Sequence, residues 1–242
     1  MPTPQLQYNN DGTPSVLRKK VVYTDLNFYK RSDVLYQLTA VFCGRFLPQY
    51  GDRTVDQMVQ AARSTKQNIV EGSTDGQTSV EVELKLLGIA QGSNKELLED
   101  YTDYLKKHGK QEWWKKNPRF EALHKFCKEH TAMEDYQPFL NRWTDEEMAN
   151  CAICLCHMVD KAMETYIRRK DYEFVTEGGI RERMTAARLC YRNNQKEIIE
   201  NLAHENETLK KEIVRLQSII RFLGGNCGQT GISGKPGKTD TT

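Results

Sequence analysis

Along most of this chain apolar residues recur at three- and four-residue steps, and they almost nowhere alternate, which predicts helices rather than strands. The pattern is densest between Thr54 and Tyr101. Its first half carries small residues, Ala61, Ala62, Ser64 and Thr65, and is expected to stop at Gly72 in a left-handed cap. Polar Ser73-Thr74-Asp75-Gly76 would then reverse the chain. In the second half Leu84, Leu87, Ala90, Leu97, Leu98, Tyr101 and Leu105 share a stripe. Two such helices joined by a tight turn form an antiparallel hairpin, and small residues let their backbones approach.

The same period places other elements. A helix is expected from Leu26 or Ser32 to Leu47, with Leu35, Leu38, Phe42 and Phe46 on one face and Pro48 and Gly51 ending it. Residues 106–145 differ in character and should hold a short helix over Pro118 to Glu129. Thr144 or Asp145 caps the next helix, which opens on acids and runs to about Val175 with Met148, Ala152, Leu155, Val159, Ala162 and Tyr166 along its stripe. Residues 151–159 are apolar nearly all round, so a second covered side is expected there, supplied by an oligomer interface. Gly178-Gly179 breaks the chain before a last long helix from Ile180 to about Leu223. Residues 1–24 are expected to be loose, and 224–242 read as a disordered tail.

The last helix also carries a heptad. Ile199, Asn206, Ile213 and Ile220 fall at position a, with Leu202, Leu209, Leu216 and Leu223 at d. Ile at a with Leu at d favours two parallel strands, and one buried Asn at a fixes register. Glu205 at g would face Lys210 at e of a partner. The alternative is a helix that lays this stripe on its own bundle.

Composition narrows the reading without naming a function. A 38% hydrophobic and 28% charged chain suits helices with solvated faces, and a net charge of +2 favours no partner class. No run of about 18 apolar residues exists, so no membrane span is expected. Seven cysteines, several inside helical patterns, and an N-terminus without signal-peptide character point to reduced thiols and the cytoplasm.

Candidate chemistry is sparse. Cys151, Cys154, Cys156 and His157 invite a zinc reading, but one straight helix cannot wrap four ligands around a tetrahedral ion, so core thiols are expected and no cofactor. The acids Glu81, Glu83, Glu96, Glu99, Asp100 and Asp103 spread over several helix faces and read as solvated. No nucleophile with a partnered base and no glycine-rich phosphate loop can be named. Two basic features remain. Lys107, Lys110, Lys115, Lys116 and Arg119 surround Trp113 and Trp114, the mix that grips single-stranded nucleic acid; equally, the Trp pair could plug a bundle end. Arg181, Arg188 and Arg192 share an arc before the heptads, an echo of zipper transcription factors that lacks their asparagine.

Gln57-x-x-x-Ala61-Ala62-x-Ser64, Asn68-Ile69-Val70-Glu71-Gly72 and Ala90-x-Gly92-Ser93-x-x-Glu96-Leu97 resemble motifs of the four-helix bundle family encoded in intervening sequences of bacterial 23S rRNA genes. That family includes the accessory variability protein of diversity-generating retroelements, and the chain looks like its subgroup with a C-terminal suffix. The resemblance implies an all-α, antiparallel up-down four-helix bundle over residues 25–177. The Trp/Lys-rich segment 106–145 would be an insertion and 178–223 a coiled-coil suffix. It also implies a ring, typically a pentamer, without enzymatic activity, that binds nucleic acid and partners a reverse transcriptase. The zipper prefers dimers, so the two readings of assembly differ. In the motifs Ala61, Ala62, Gly92 and Ser93 would allow close packing, and Asn68 and Gly72 would cap a helix. The expectation is therefore an accessory protein that binds RNA or single-stranded DNA; the rival is a protein-assembly scaffold.

Overall fold

The computed structural model describes residues 6–48, 53–114 and 117–225. Gly51 and the expected tail beyond Gly225 lie outside them. The chain is all-helical apart from a two-residue antiparallel strand pair, β1 (Gln7–Tyr8) with β2 (Pro14–Ser15). It divides into two compact units, Met1–Arg188 and Leu189–Thr242.

In the first unit, α1 (Asn27–Phe46) buries Phe28, Leu35, Leu38 and Phe42, one step per turn. It ends at Leu47, which is extended because it precedes Pro48. Helix α2 (Thr54–Asp75) does not stop at Gly72. That glycine lies inside the helix, where an added Cβ would sit 3.3 Å from Leu86 Cβ and 3.4 Å from the Glu83 carbonyl of α3 (Val80–Lys107). Its missing side chain serves close approach, not capping. Asn68 does not cap either: from mid-helix it donates to the Ser64 carbonyl, while the Ser64 and Ser93 hydroxyls meet at 2.9 Å across α2 and α3. Gly92 differs again, since an added Cβ there would touch nothing within 4 Å.

Left-handed capping occurs instead at the end of α3. Gly109 has φ +65°, and the Gly109 and Lys110 amides donate back to Lys106 and Leu105 in a Schellman arrangement. Helix α4 covers Pro118–Glu129 as expected, with Asn117 capping and Pro118 in the first position. A further helix, α5 (Met133–Leu140), has Pro138 inside it and was not signalled by the apolar pattern. Helix α6 (Asp145–Glu177) opens on a capping box of Thr144 and Glu147 and closes at Gly178, φ +77°. Helix α7 (Ile180–Gly225) follows.

Within this unit α1 packs on α2 and α6, and α3 packs on α2 and α6. Phe42, Leu97, Tyr101, Ala152 and Leu155 centre one buried cluster; Phe28, Ile69, Leu87, Met163 and Tyr166 centre a second. The all-round burial of residues 148–156 has its source in the chain itself. Cys127 of α4 and Met133 and Tyr136 of α5 join the same cluster, with Cys127 Sγ 3.8 Å from Cys151 Sγ. Where an oligomer interface is expected over 151–159, the chain's own α4 and α5 supply the cover for residues 148–156.

Two further expectations also change. Glu83 is buried, not solvated: it accepts a 2.6 Å hydrogen bond from Tyr166 and lies 3.9 Å from Lys170 Nζ. Residues 6–25, expected to be loose, make defined contacts. Arg18 pairs with Glu173 and Glu177 and donates to the Gly178 carbonyl, while buried Arg183 donates to the Val16 and Leu17 carbonyls.

The second unit, in its described part, is α7 from Leu189 to Gly225. Its residues from Tyr191 to Leu223 are exposed. No described helix is long and apolar enough to cross a membrane.

Candidate nucleic-acid interface

The Lys/Trp stretch after α3 is stitched to the start of α6. Lys110 Nζ lies 2.8 Å from Asp145 Oδ1, and Tyr104 donates to the other carboxylate oxygen at 2.8 Å. The Trp113 amide donates to Asn150 Oδ1 and its indole Nε1 to Glu146 Oε1; Asn150 in turn donates to the Gln111 carbonyl. A buried indole satisfies its N–H in this way. Burial alone would push the Asp145 carboxyl up, but Lys110, Tyr104 and the Glu146 amide hold it below the usual carboxylate range.

The expected interface residues therefore separate. Trp113 is 7% exposed with its N–H engaged on Glu146, so its ring is a fixed part of the wall beside α6 rather than a free stacking surface. Lys110 is neutralised by Asp145. Arg119 is exposed but sits over the Trp113 ring, 5.5 Å from its centroid. Trp114 is 54% exposed and tilts against His157 at 5.6 Å. Lys107 is exposed, as are Arg181 and Arg188, and Arg192 is exposed in the second unit. Lys115 and Lys116 lie outside the described residues.

What the fold brings together is a different set. On α4, Phe120, His124 and Lys128 follow one another at four-residue steps; on α6, His157, Lys161, Thr165 and Arg169 do the same. The two rows line a groove made of two adjoining hollows. Its wider part, about 600 Å³, lies between α1, α4 and α6 and presents Arg31, His124, Lys128, Lys161 and Arg169 over a floor of Phe28, Met158 and Tyr166. Its narrower part, about 250 Å³, is walled by Trp114, Phe120, His124 and His157. His124, Met158 and Lys161 belong to both. Among the described residues no carboxylate lines the wider part, and Glu112 edges the narrower one.

Each cation is steered differently. Arg31 donates to the Cys127 and Lys128 carbonyls at the end of α4, which fixes its guanidinium at the groove wall. Lys161 shares Glu164 with Arg168, and Arg169 lies over the Tyr166 ring with Glu173 at 3.7 Å. These contacts are solvent-exposed and weak, so the charges remain open to a phosphate. The arrangement, cations leading into flat rings, is what single-stranded nucleic acid requires.

Of the rings and cations named for this groove, only Trp114 and Phe120 belong to the Lys/Trp stretch that the sequence points to for nucleic acid. The signal was present as two rows at four-residue spacing, each passing from ring to cation, but on separate helices their meeting could not be seen. The thiols behind the groove are core. Burial pushes Cys156 up, and the Cys127 contact and burial push Cys154 up. Among the described residues no three His, Cys, Asp or Glu side chains come together as a metal site. Comparison with protein-family models, curated proteins and solved structures finds no match for this chain.

Proposed function

We propose that this chain is a non-enzymatic, self-associating protein that binds RNA or single-stranded DNA as an accessory factor, through the groove between α1, α4 and α6. The observation that carries the reading is the meeting of two helical rows, so that five basic or imidazole side chains run into a hollow walled by Trp114, Phe120 and His157. Phosphates would lie along the wide part and unstacked bases would enter the narrow part. The motif resemblance adds a bacterial source and a reverse transcriptase as partner. The buried thiols of Cys43, Cys127, Cys151, Cys154 and Cys156, free in the core, fit a reducing cytoplasm.

In this reading α1, α2, α3 and α6 form an antiparallel up-down four-helix bundle. The pairing of α3 with α6 supports it: Glu83 meets Tyr166, Gln91 meets Asp160, Asn94 meets the Cys156 carbonyl and Tyr104 meets Asp145, one number rising as the other falls.

The test is fluorescence anisotropy with labelled single-stranded RNA and DNA over a salt series. Affinity should fall steeply with salt, and the doubly substituted chain Lys128→Glu/Lys161→Glu should bind at least ~10-fold more weakly at equal salt. Absence of binding at low salt, or binding untouched by that double substitution, removes the groove from the function. The rival, an assembly scaffold, is favoured by one observation, the exposed heptad stripe of α7. Nuclease-resistant recovery of a protein partner by a chain that binds no nucleic acid would establish it.

A further inference from the structure

Seven described side chains make one apolar seam along α7: Ile199, Leu202, Leu209, Ile213, Leu216, Ile220 and Leu223, each between 50% and 67% exposed. All fall at a or d of an unbroken heptad whose remaining a position is Asn206. At 1.5 Å per residue the seam is about 36 Å long. A strip of Leu and Ile that long, widened by exposed Ile198 and Ile219 and flanked near its middle by Glu205, Lys210 and Glu212, marks an interface rather than a solvated surface. The question is what covers it, and the residues flanking the seam answer.

We propose that residues 199–223 pair with the same residues of a second copy of this chain as a parallel, in-register, two-stranded coiled coil. In that arrangement each g residue faces the e residue of the following heptad on the partner. Glu205 then meets Lys210, Glu212 meets Gln217, Ile198 packs over Ala203 and Ile219 over Gly224. The four pairings include one opposite-charge pair, two large-on-small contacts and no like-charge clash. An antiparallel pair instead sets g against g, which brings the acids Glu205 and Glu212 toward acids or isoleucines. Asn206 selects the same answer. In register it meets its own copy, and the two amides hydrogen-bond; in any shifted or antiparallel pairing it would be buried opposite Leu or Ile without a partner. Ile at a with Leu at d favours two strands over three or four. This inference does not depend on the groove binding nucleic acid.

Sedimentation equilibrium and cysteine trapping on the full-length, nuclease-treated chain test it. Leu209→Lys/Ile213→Lys should weaken self-association by roughly a hundredfold or more, and because both positions are exposed in the single chain the first unit stays folded. Glu205→Lys or Lys210→Glu alone should weaken it several-fold, and the two together should restore it. With Cys190→Ser and Cys227→Ser as background, Leu202→Cys should give a covalent two-chain species on mild oxidation, whereas Ser218→Cys, at the outward f position, should not. A chain that stays monomeric at micromolar concentration overturns the proposal. So does assembly indifferent to the lysine pair, a charge swap without rescue, or equal trapping at positions 202 and 218. Failure of the groove reading would show only in nucleic-acid binding and would leave these results unchanged.

Discussion

Asp145 draws three donors: Lys110 Nζ, the Tyr104 hydroxyl and the Glu146 amide, all within 3.0 Å. Its carboxyl is held below the usual range, so it contributes stability above its unfolded pKa of about 3.9 and loses it as pH falls through the folded value. Asp145→Asn should cost about 1–2 kcal/mol at pH 7 by urea denaturation, with the deficit closing below about pH 4. Glu83 runs the other way. Burial pushes its carboxyl up although Tyr166 and Lys170 oppose the shift. A raised acid favours the fold most when protonated, and that contribution is lost as pH rises through the folded value. Tyr166→Phe removes the hydroxyl donor from a buried carboxylate and should cost about 1–3 kcal/mol at pH 7, and less as the pH is lowered toward the carboxylate range. Gly72 and Gly92, both motif glycines, should respond oppositely to alanine. Gly92→Ala meets open space and gains about 0.5–1 kcal/mol of helix propensity, whereas at Gly72 the Leu86 and Glu83 contacts cancel that gain and leave a net loss, read as melting temperature.

The adjacent indoles show how the placement of a segment between helices decides the role of its residues. Trp113 fills the gap beside α6 and donates to Glu146, while Trp114 lies beside His157 at the groove. Trp113→Ala should cost about 3–5 kcal/mol in stability. Trp114→Ala should leave stability within about 0.5 kcal/mol yet cost about 1–3 kcal/mol in nucleic-acid affinity, the worth of one stacked base. Helices α4 and α5 act as a wall for α6. Phe126 meets Tyr136, Phe139 and Trp143 edge to face, and that aromatic group holds Cys127 against Cys151. Without this wall the cysteine-rich face of α6 would be an exposed apolar strip.

At the scale of the molecule, the proposed groove in the first unit and the proposed self-pairing of α7 together give two grooves per pair of chains. A strand long enough to reach both would bind by a second, intramolecular event at millimolar effective concentration. Leu209→Lys/Ile213→Lys should therefore weaken binding of a long single strand while leaving a short oligonucleotide, filling one groove, unaffected. Equal loss for both lengths would show that the seam contributes to the groove itself rather than to avidity.

The period of apolar residues by itself determined that the chain is helical and where most helices lie. The cap at Thr144 and the break at Gly178 are local chemistry in which side chain or backbone conformation meets the helix end directly. The heptad of α7 is equally local, because one helix contains the whole pattern. Three things needed the tertiary structure. Gly72 looks like a cap until α3 lies against α2, when it becomes a contact point for Leu86 and the Glu83 carbonyl. Trp113 and Lys110 look like a ligand surface until the start of α6 supplies Asn150, Glu146 and Asp145. The groove residues look like ordinary solvated side chains until α4 folds over α6. In each case the deciding partner belongs to another helix, and periodicity reports which face of a helix is apolar, not what will be packed against it.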